Sequence, residues 1–537
     1  MPSHKTEYLF SRKLTFLDFA LAFVLALISC ALSCAQLYDG HGWGGDFSQY
    51  IAQAMAIIDG NIAEQIKNNT FMMQNSIGFG PYVYPWGFPV LLSPAYALFG
   101  FDLIAFKYIG ILCFSGFVFA FFIFCAKFLD RKGALIASLF FAINPLLTDY
   151  AANEILSDIP FLFFSFLAVI FLSALFQAKI PNQKDLIASN TDGGGNKIYL
   201  YSILGGVFCF FAFCTRSNGI LIFLTLFTCH FALILYFLLS KYFDCKPALL
   251  HKFYKSCVLS PLPHIIPYII FILGILLLNI FLTTGGEGHL GYLSKISYKT
   301  IFGNIIYYIF GLSGFFDLNL RKILGLAILI FFAPLIFIGT KRFLSQYYGL
   351  GMFILIFILS NLALLILWPF VQGIRFTFCL YPFVVFFMAI GGKALFQEYV
   401  GYKFYKKSIF YIVIGIFIFF IFKTGWHAYR VHSSPYYKEH EAFSNDALEI
   451  YDFIKTNTLQ DDKIIFFKPR VLYLNTHRLS VATPKQDEIP EYDYLLSYEY
   501  SGGWVESAVK PYIENNSSLD LILIFKNENF ALYKIAK

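Results

Sequence analysis

The stretch GGDFSQY, residues 44–50, follows an apolar run at residues 16–36 that is long enough to cross a bilayer. It places a carboxylate, Asp46, at the boundary between lipid and water, directly before a segment with helical spacing from Phe47 to Ile58. A carboxylate at this depth costs free energy unless it is solvated or paired, so it is a functional candidate. The stretch therefore predicts a membrane protein with a polar site beside Asp46.

Composition supports a membrane class. The 537 residues are 58% hydrophobic, 20% aromatic and 14% charged, whereas soluble domains are about 25% charged. The net charge of +7 is therefore interpreted by its placement in loops, and no nucleic-acid partner is expected. The ten cysteines contain no CxxC pair, which indicates neither a zinc site nor a disulfide framework.

Eleven apolar runs predict a polytopic α-helical membrane protein. The runs are 16–36, 103–128, 133–150, 158–177, 198–215, 219–240, 264–283, 322–340, 348–368, 376–395 and 409–426. Residues 1–426 would form the transmembrane domain, with a long outer loop at 37–102. Phe47 to Ile58 and Trp86 to Leu98 are predicted as interfacial helices within that loop.

Loop charges predict the orientation, because lysine and arginine favour the cytoplasmic side. With the N-terminus inside, one side collects Lys5, Arg12, Lys13, Lys127, Arg131, Lys132, Lys179, Lys184, Lys197, Lys241, Lys246, Lys252, Lys255, Lys341, Arg342, Lys403, Lys406 and Lys407. An odd number of spans then places the C-terminus outside. The apolar segment 301–316 is predicted as an interfacial helix; if it spans the membrane instead, the tail moves inside.

The tail at 427–537 is rich in polar residues and predicts a small extracytoplasmic α/β domain. A helical pattern covers Ala447 to Ile454. Strand patterns cover 464–467, 492–498, 521–525 and 530–535. About 110 residues suffice for such a domain.

Five charged residues fall at the outer ends of the predicted spans: Asp46, Glu154, Asp158, Arg216 and Arg375. The two arginines oppose the inside bias, and a guanidinium grips a phosphate bidentately. Structural alternatives remain open for each residue. Asp46 is placed to cap a helix, and the acid at 158 could favour a helix start capped by Ser157. Glu154 could be solvated, and the arginines could extend to lipid headgroups.

Several short motifs in chain order carry a resemblance. They are GDFSQY at 45–50, YPWGFP at 84–89 with LFG at 98–100, NP at 144–145 ahead of Glu154 and Asp158, TR at 215–216, and Arg375 ahead of LYP at 380–382. Over about residues 10–400 the chain resembles the GT-C membrane glycosyltransferases. It is most similar to the branch with protein O-mannosyltransferases and the lipid A aminoarabinose transferase. It departs in having Phe47 where many relatives carry Glu.

The resemblance implies an inverting glycosyltransferase in the cell membrane, expected to be a bacterial inner membrane. A polyprenyl-phosphate-linked sugar would be the donor, and a lipid, glycan or protein on the outer face the acceptor. Asp46 would be the base, with Glu154 and Asp158 shaping the catalytic pocket. The expected phosphate ligands are Arg375 and Arg216, and the expected entrance residues are Tyr82, Tyr84 and Trp86. A divalent metal is optional, because arginine can stabilise the leaving phosphate.

Two other classes stay open. A secondary transporter would show repeated halves and broken helices at midmembrane depth. A non-catalytic lipid-binding or assembly protein could use the same scaffold, since a fold does not determine function.

Overall fold

The computed structural model describes residues 12–76, 81–176, 194–243, 261–282, 296–316, 321–398, 403–434, 439–516 and 518–536. Six of the basic residues that predicted the orientation lie outside these ranges: Lys5, Lys179, Lys184, Lys246, Lys252 and Lys255.

The described part before the tail is helical. Its helices are α1 Phe16–Cys34, α2 Gly45–Asp59, α3 Ile62–Gln74, α4 Gly87–Phe99, α5 Leu103–Phe128, α6 Arg131–Ala142, α7 Pro145–Asn153, α8 Asp158–Ala174, α9 Gly194–Thr215, α10 Ile220–Phe243, α11 Leu262–Phe281, α12 Tyr298–Ser313, α13 Arg321–Gln346, α14 Tyr348–Leu367, α15 Tyr381–Glu398 and α16 Lys403–Ser433.

The predicted fold class of a polytopic helical membrane protein is confirmed. Within the described ranges, nine helices are long and apolar enough to cross a membrane, and each coincides with a predicted span. The predicted span 133–150 corresponds to α6 and α7, which are bent by 51° relative to each other. The predicted span 158–177 corresponds to α8, which is apolar but only 17 residues long.

The bend between α6 and α7 follows from an Asn-Pro pair. Pro145 starts α7, where its missing N–H is tolerated. The side chain of Asn144 accepts a hydrogen bond from the backbone N–H of Leu147 at 3.1 Å and donates one to the carbonyl of Phe315 at 2.9 Å. The break is therefore capped and anchored to a neighbouring segment.

The loop 37–102 contains three helices in its described part. Helices α2 and α4 lie where the sequence predicted interfacial helices. Helix α3 was not predicted, because its polar sequence has weak apolar periodicity. Helix α12 coincides with the apolar segment 301–316 and has 16 residues.

The tail forms the predicted α/β arrangement. Its strands and helices are β1 Ile464–Ile465, β2 Ser480–Val481, β3 Tyr494–Tyr498, β4 Asp520–Lys526, β5 Phe530–Ala536, α17 Asn445–Asn457, α18 Pro469–Thr476 and α19 Trp504–Glu514. The sheet has the order β2-β1-β3-β5-β4. Strand β1 is parallel to β2 and β3, whereas β5 is antiparallel to β3 and β4. Three of these elements, β2, α18 and α19, were not predicted.

Helices α13 and α15 pack with their backbones in direct contact. A Cβ atom at Gly339 would overlap the carbonyl of Phe387, and one at Gly391 would overlap the carbonyl of Leu335. Close helix approach through small residues is typical of packing in membranes. Helix α15 follows directly on the 3₁₀ segment Ile374–Leu380, so this packing also positions Arg375.

We expect Gly391→Ala to destabilise the membrane domain by about 1–3 kcal/mol, the usual cost of overpacking. The matched control is Gly392→Ala, because a Cβ at the next residue of the same helix meets no atom within 4 Å. Thermal unfolding in detergent measures both variants. Equal melting temperatures for Gly391→Ala and Gly392→Ala would show that α13 and α15 can move apart to accept a Cβ atom without loss of stability.

Candidate active site

Helix α2 builds one wall of the site. Asp46, Tyr50 and Gln53 stand at spacings i, i+4 and i+7, which place their side chains on one helical face. Asp46 is the second residue of the helix and Gly44 is its N-cap. Asp46 is therefore not the capping residue, although a carboxylate in the first turn suits the helix dipole.

Both carboxylate oxygens of Asp46 are occupied. The hydroxyl of Tyr84 donates to Oδ1 at 2.6 Å, and Nη2 of Arg375 donates to Oδ2 at 2.8 Å. Burial alone would raise the pKa of Asp46. The charge of Arg375 and the hydrogen bonds from Tyr84 and Arg375 outweigh burial, and the pKa lies below its usual value. Asp46 is therefore ionised at neutral pH.

Arg375 connects Asp46 to a second ion pair. Its Nη1 lies 3.8 Å from Oδ2 of Asp158, while Oδ1 of Asp158 accepts a hydrogen bond from Arg216. The guanidinium of Arg216 also lies over the ring of Phe376, 4.0 Å from its centroid. The four charged residues thus alternate in sign along one chain of contacts.

This geometry decides between the structural alternatives for three residues. Arg216 and Arg375 have side chains only 11% and 28% exposed and are paired with carboxylates, so they are not simply directed at headgroups. Ser157 stands at the N-cap position of α8, as expected, but its hydroxyl makes no capping hydrogen bond. Its hydroxyl instead lies 2.9 Å from the hydroxyl of Tyr50, because α2 packs beside this helix start.

Glu154 lies next to this chain of charges but outside it. Its carboxylate approaches Nε2 of His41 at 4.0 Å. His41 Nδ1 donates to the carbonyl of Gly42 at 2.9 Å and Nε2 accepts from the N–H of Ile155 at 3.3 Å. Both ring nitrogens are used by a neutral imidazole, and burial lowers the pKa of His41 to about 3. No ion pair forms between the two side chains at neutral pH.

The carboxyl group of Glu154 is the one in the site that titrates near neutrality. Burial, and next the charge of Asp149, raise its pKa to about 7. Its side chain is 41% exposed, so it is open to an incoming molecule. Water reaches this carboxylate and partly screens it from the neighbouring charges.

The three expected entrance residues have different environments. Tyr84 is anchored through its backbone, which exchanges two hydrogen bonds of 3.0 and 3.2 Å with the side chain of Gln53. The carbonyl of Tyr82 accepts a hydrogen bond from Asn69. Trp86 is only 1% exposed and packs inside the protein. The structure therefore brings Tyr84, but not Trp86, to the chain of charges.

Two basic residues were missed by the sequence analysis. Lys107 is 1% exposed within α5, and its Nζ donates to the carbonyls of Tyr38 at 2.8 Å and Gly40 at 2.7 Å. A lysine inside an apolar run is a signal that could have identified it. Arg470, from the tail, donates to the hydroxyl of Tyr84 at 3.0 Å, and no sequence motif marks it.

In the described ranges, no group of three or more His, Cys, Asp or Glu side chains converges in a way that could hold a metal ion. The carboxylates of Asp46 and Asp158 are instead paired with arginine.

The chain shares its fold with solved membrane proteins, although no protein-family model and no curated protein matches its sequence. ArnT from Cupriavidus metallidurans in the apo state aligns with a TM-score of 0.56 and 10% identity, over 95% of this chain and 97% of that one. The same protein bound to undecaprenyl phosphate aligns with a TM-score of 0.54 and 10% identity, over 96% and 97%. An oligosaccharyltransferase from Archaeoglobus fulgidus aligns at 0.48 with 12% identity, over 96% and 73%.

Glu154→Gln tests the raised pKa of Glu154. The folded protein binds this proton more tightly than the unfolded chain, so the contribution to stability is complete below the unfolded pKa. It is lost as the pH rises through about 7. We therefore expect the variant to gain melting temperature relative to the wild type between pH 5 and pH 8.

The matched control for this titration is Glu64→Gln, on the exposed surface of α3. It shows how the loss of a surface carboxylate alone affects the melting temperature. A difference between Glu154→Gln and the wild type that stays constant with pH would mean that Glu154 titrates as an ordinary solvated acid.

Proposed function

We propose that this multi-pass membrane protein of GT-C fold is a glycosyltransferase that moves a sugar from a polyprenyl-phosphate donor to an acceptor. The observation that carries the proposal is the pairing of Asp46 with Arg375. A leaving phosphate needs a cation and an acceptor needs a base, and the pair supplies both at one point. The shared fold with ArnT bound to undecaprenyl phosphate supports the same donor class.

Arg375 is the proposed ligand of the donor phosphate. Its side chain is 28% exposed, whereas that of Arg216 is 11% exposed and is held between Asp158 and Phe376. An incoming phosphate would therefore compete with Asp46 for the Arg375 guanidinium. Arg216 acts behind it, by neutralising the Asp158 carboxylate that also faces Arg375.

Displacement by phosphate would activate Asp46 as the base. Once Arg375 turns to the phosphate, Oδ2 of Asp46 loses its partner and the principal influence that lowers its pKa. Oδ2 can then take the proton of the acceptor hydroxyl or amine. The acceptor atom bonds to the anomeric carbon as the bond from that carbon to the phosphate oxygen breaks, and the electron pair leaves with the phosphate. Attack opposite the leaving group inverts the configuration.

Glu154, Asp158 and Tyr82 would shape the pocket around the sugar and acceptor. Glu154 is suited to a hydroxyl-rich substrate, because its carboxylate is exposed and near its titration point. We assign residues 1–426 to the transmembrane part and 427–537 to an extracytoplasmic domain. The acceptor would be a lipid, glycan or protein on that side of a bacterial inner membrane, as the Lys and Arg bias of the loops supports.

The transporter alternative is less well supported. It requires paired broken helices in two repeated halves, and the described residues contain one bent pair of helices. A non-catalytic lipid-binding protein would use Arg375 without needing a base, so substitutions of the two residues separate this alternative from an enzyme.

We expect Asp46→Asn to slow sugar transfer by roughly 10²-fold or more, the scale of general-base catalysis. The amide keeps the size of the side chain and its place in the first turn of α2, but it cannot accept the proton. Transfer is measured with the lipid-linked sugar fraction extracted from the source cells, and melting temperature on the same preparation. The control is Asp59→Asn at the exposed end of α2. Normal transfer by stable Asp46→Asn protein would remove the proposed base.

We expect Arg375→Ala to weaken binding of undecaprenyl phosphate by roughly 10- to 150-fold, because a hydrogen bond to a charged group contributes about 1.5–3 kcal/mol. Lysine at this position should restore binding only in part, since it lacks the planar fork. The control is Arg430→Ala, an exposed arginine in the last turn of α16. Equal affinities for both alanine variants would leave Arg375 with a structural role only, as the partner of Asp46 and Asp158.

A further inference from the structure

Arg470 is a buried arginine of the tail whose bonds all leave the tail. Its side chain starts from α18, and the residue is 7% exposed. Nε donates to Oδ1 of Asn69 at 2.9 Å, Nη2 to the carbonyl of Pro81 at 2.6 Å and Nη1 to the hydroxyl of Tyr84 at 3.0 Å. All three acceptors belong to the loop 37–102.

None of these partners is a carboxylate, and within the described ranges no carboxylate lies at ion-pair distance from Arg470. Burial of a charged group without a counter-charge costs free energy. A neutral donor could hold the tail to the loop at lower cost. The positive charge itself therefore requires an explanation, and the hydroxyl of Tyr84 connects it to Asp46.

The bond from Arg470 determines the direction of the next bond. A phenol has one hydrogen, and the guanidinium can only donate to its oxygen. The hydrogen of Tyr84 is then directed to Oδ1 of Asp46, at 2.6 Å. Burial raises the pKa of Tyr84 to about 12, so the hydroxyl keeps its proton at neutral pH. Consecutive hydrogen bonds of this kind strengthen one another.

Tyr84 and the start of α2 are held in place by further contacts. The ring of Tyr84 packs against the ring of Tyr50 with centroids 4.8 Å apart. The tail also contacts the chain just before α2, where Trp43 Nε1 donates to the carbonyl of His440 at 2.9 Å. The N–H of Ala442 donates to the carbonyl of His41 at 3.1 Å. Arg470 therefore approaches Tyr84 from a domain that is docked at a second place.

We propose that Arg470 is a positioning residue through which the tail holds the base. Arg470 orients Tyr84, Tyr84 occupies Oδ1 of Asp46, and Oδ2 accepts the proton once Arg375 has turned to the donor phosphate. This inference rests on the proposed role of Asp46. It makes the tail part of the active site, because a hydrogen bond chain from α18 ends on the reacting carboxylate.

The ionisation of Asp46 reports on this contact without any transfer assay. The charged and titratable groups that face Asp46 are Arg375, Tyr84, Tyr50, Arg470 and Lys468. Loss of Arg470 removes one positive charge and removes the donor to the Tyr84 oxygen, which weakens the hydrogen bond from Tyr84 to Asp46. Both changes favour the protonated carboxyl, so the titration midpoint of Asp46 should move to higher pH.

The test measures the carboxyl infrared band of Asp46 in bilayers, as the difference between each protein and its Asp46→Asn counterpart. We expect a higher midpoint in Arg470→Gln and in Tyr84→Phe, with Arg470→Lys between them and the wild type. Tyr84→Phe leaves the bonds of Arg470 to Asn69 and Pro81 in place, and it serves if Arg470→Gln fails to fold. Adding Arg470→Gln to Tyr84→Phe should shift the midpoint by less than Arg470→Gln does alone.

Arg478→Gln is the matched control. Arg478 is also a buried tail arginine, but its side chain bonds only to Thr458, Lys455 and Thr476 within the tail. It should lower the melting temperature and leave the midpoint of Asp46 unchanged. A midpoint that does not move in Arg470→Gln or Tyr84→Phe would overturn the positioning role and leave Arg470 as a docking residue.

The transfer assay then separates the two proposals. If the midpoint moves but Asp46→Asn transfers sugar normally, the proposed function fails while the contact between tail and carboxylate stands. If both hold, Arg470→Gln should lower kcat by roughly 10- to 10²-fold, the cost of a misplaced catalytic group. The KM for the lipid-linked sugar should change little, because Arg375 is intact.

Discussion

The ion pair between Asp46 and Arg375 joins the parts of this structure. Asp46 stands in the first turn of α2, and Arg375 lies in the 3₁₀ segment that leads into α15, more than 300 residues later in the chain. Removing one partner would leave the other charge partly buried and unpaired, which is costly. The positions of α2 and of the segment before α15 are therefore interdependent.

The ion pair also accounts for the state of the site before a ligand binds. Asp46 is held with a low pKa by the same guanidinium that would receive an anion. Asp46 is therefore a weak base while Arg375 is paired with it. It would become a stronger base when a bound phosphate draws Arg375 away. In the proposed mechanism, a carboxylate paired in this way would link binding of the donor to activation of the acceptor.

The sequence predicted the spanning helices well because each apolar run is long enough to cross a bilayer. It also brought Asp46, Asp158, Arg216 and Arg375 together, since charges at the ends of apolar runs are few and the two arginines oppose the inside bias. It could not show which acid pairs with which arginine. It placed Ser157 correctly at the start of α8, but it could not show that the Ser157 hydroxyl pairs with Tyr50, 107 residues away, rather than with the backbone of its own helix. Helix α3 has a polar sequence and strand β2 has only two residues, and both were missed, as were the tail helices α18 and α19.

Arg470 shows where inference from sequence ends. It lies in a polar tail among many charged residues, and no spacing distinguishes it from Arg478, which is equally buried but bonds only within its own domain. The difference arises from the docking of α18 against α2 and α3, a long-range contact with no local signature. A tail docked against α2 and α3 can affect the ionisation of Asp46. Because its guanidinium ends one hydroxyl away from Asp46, any change in how the tail is docked also changes how readily the carboxylate takes a proton.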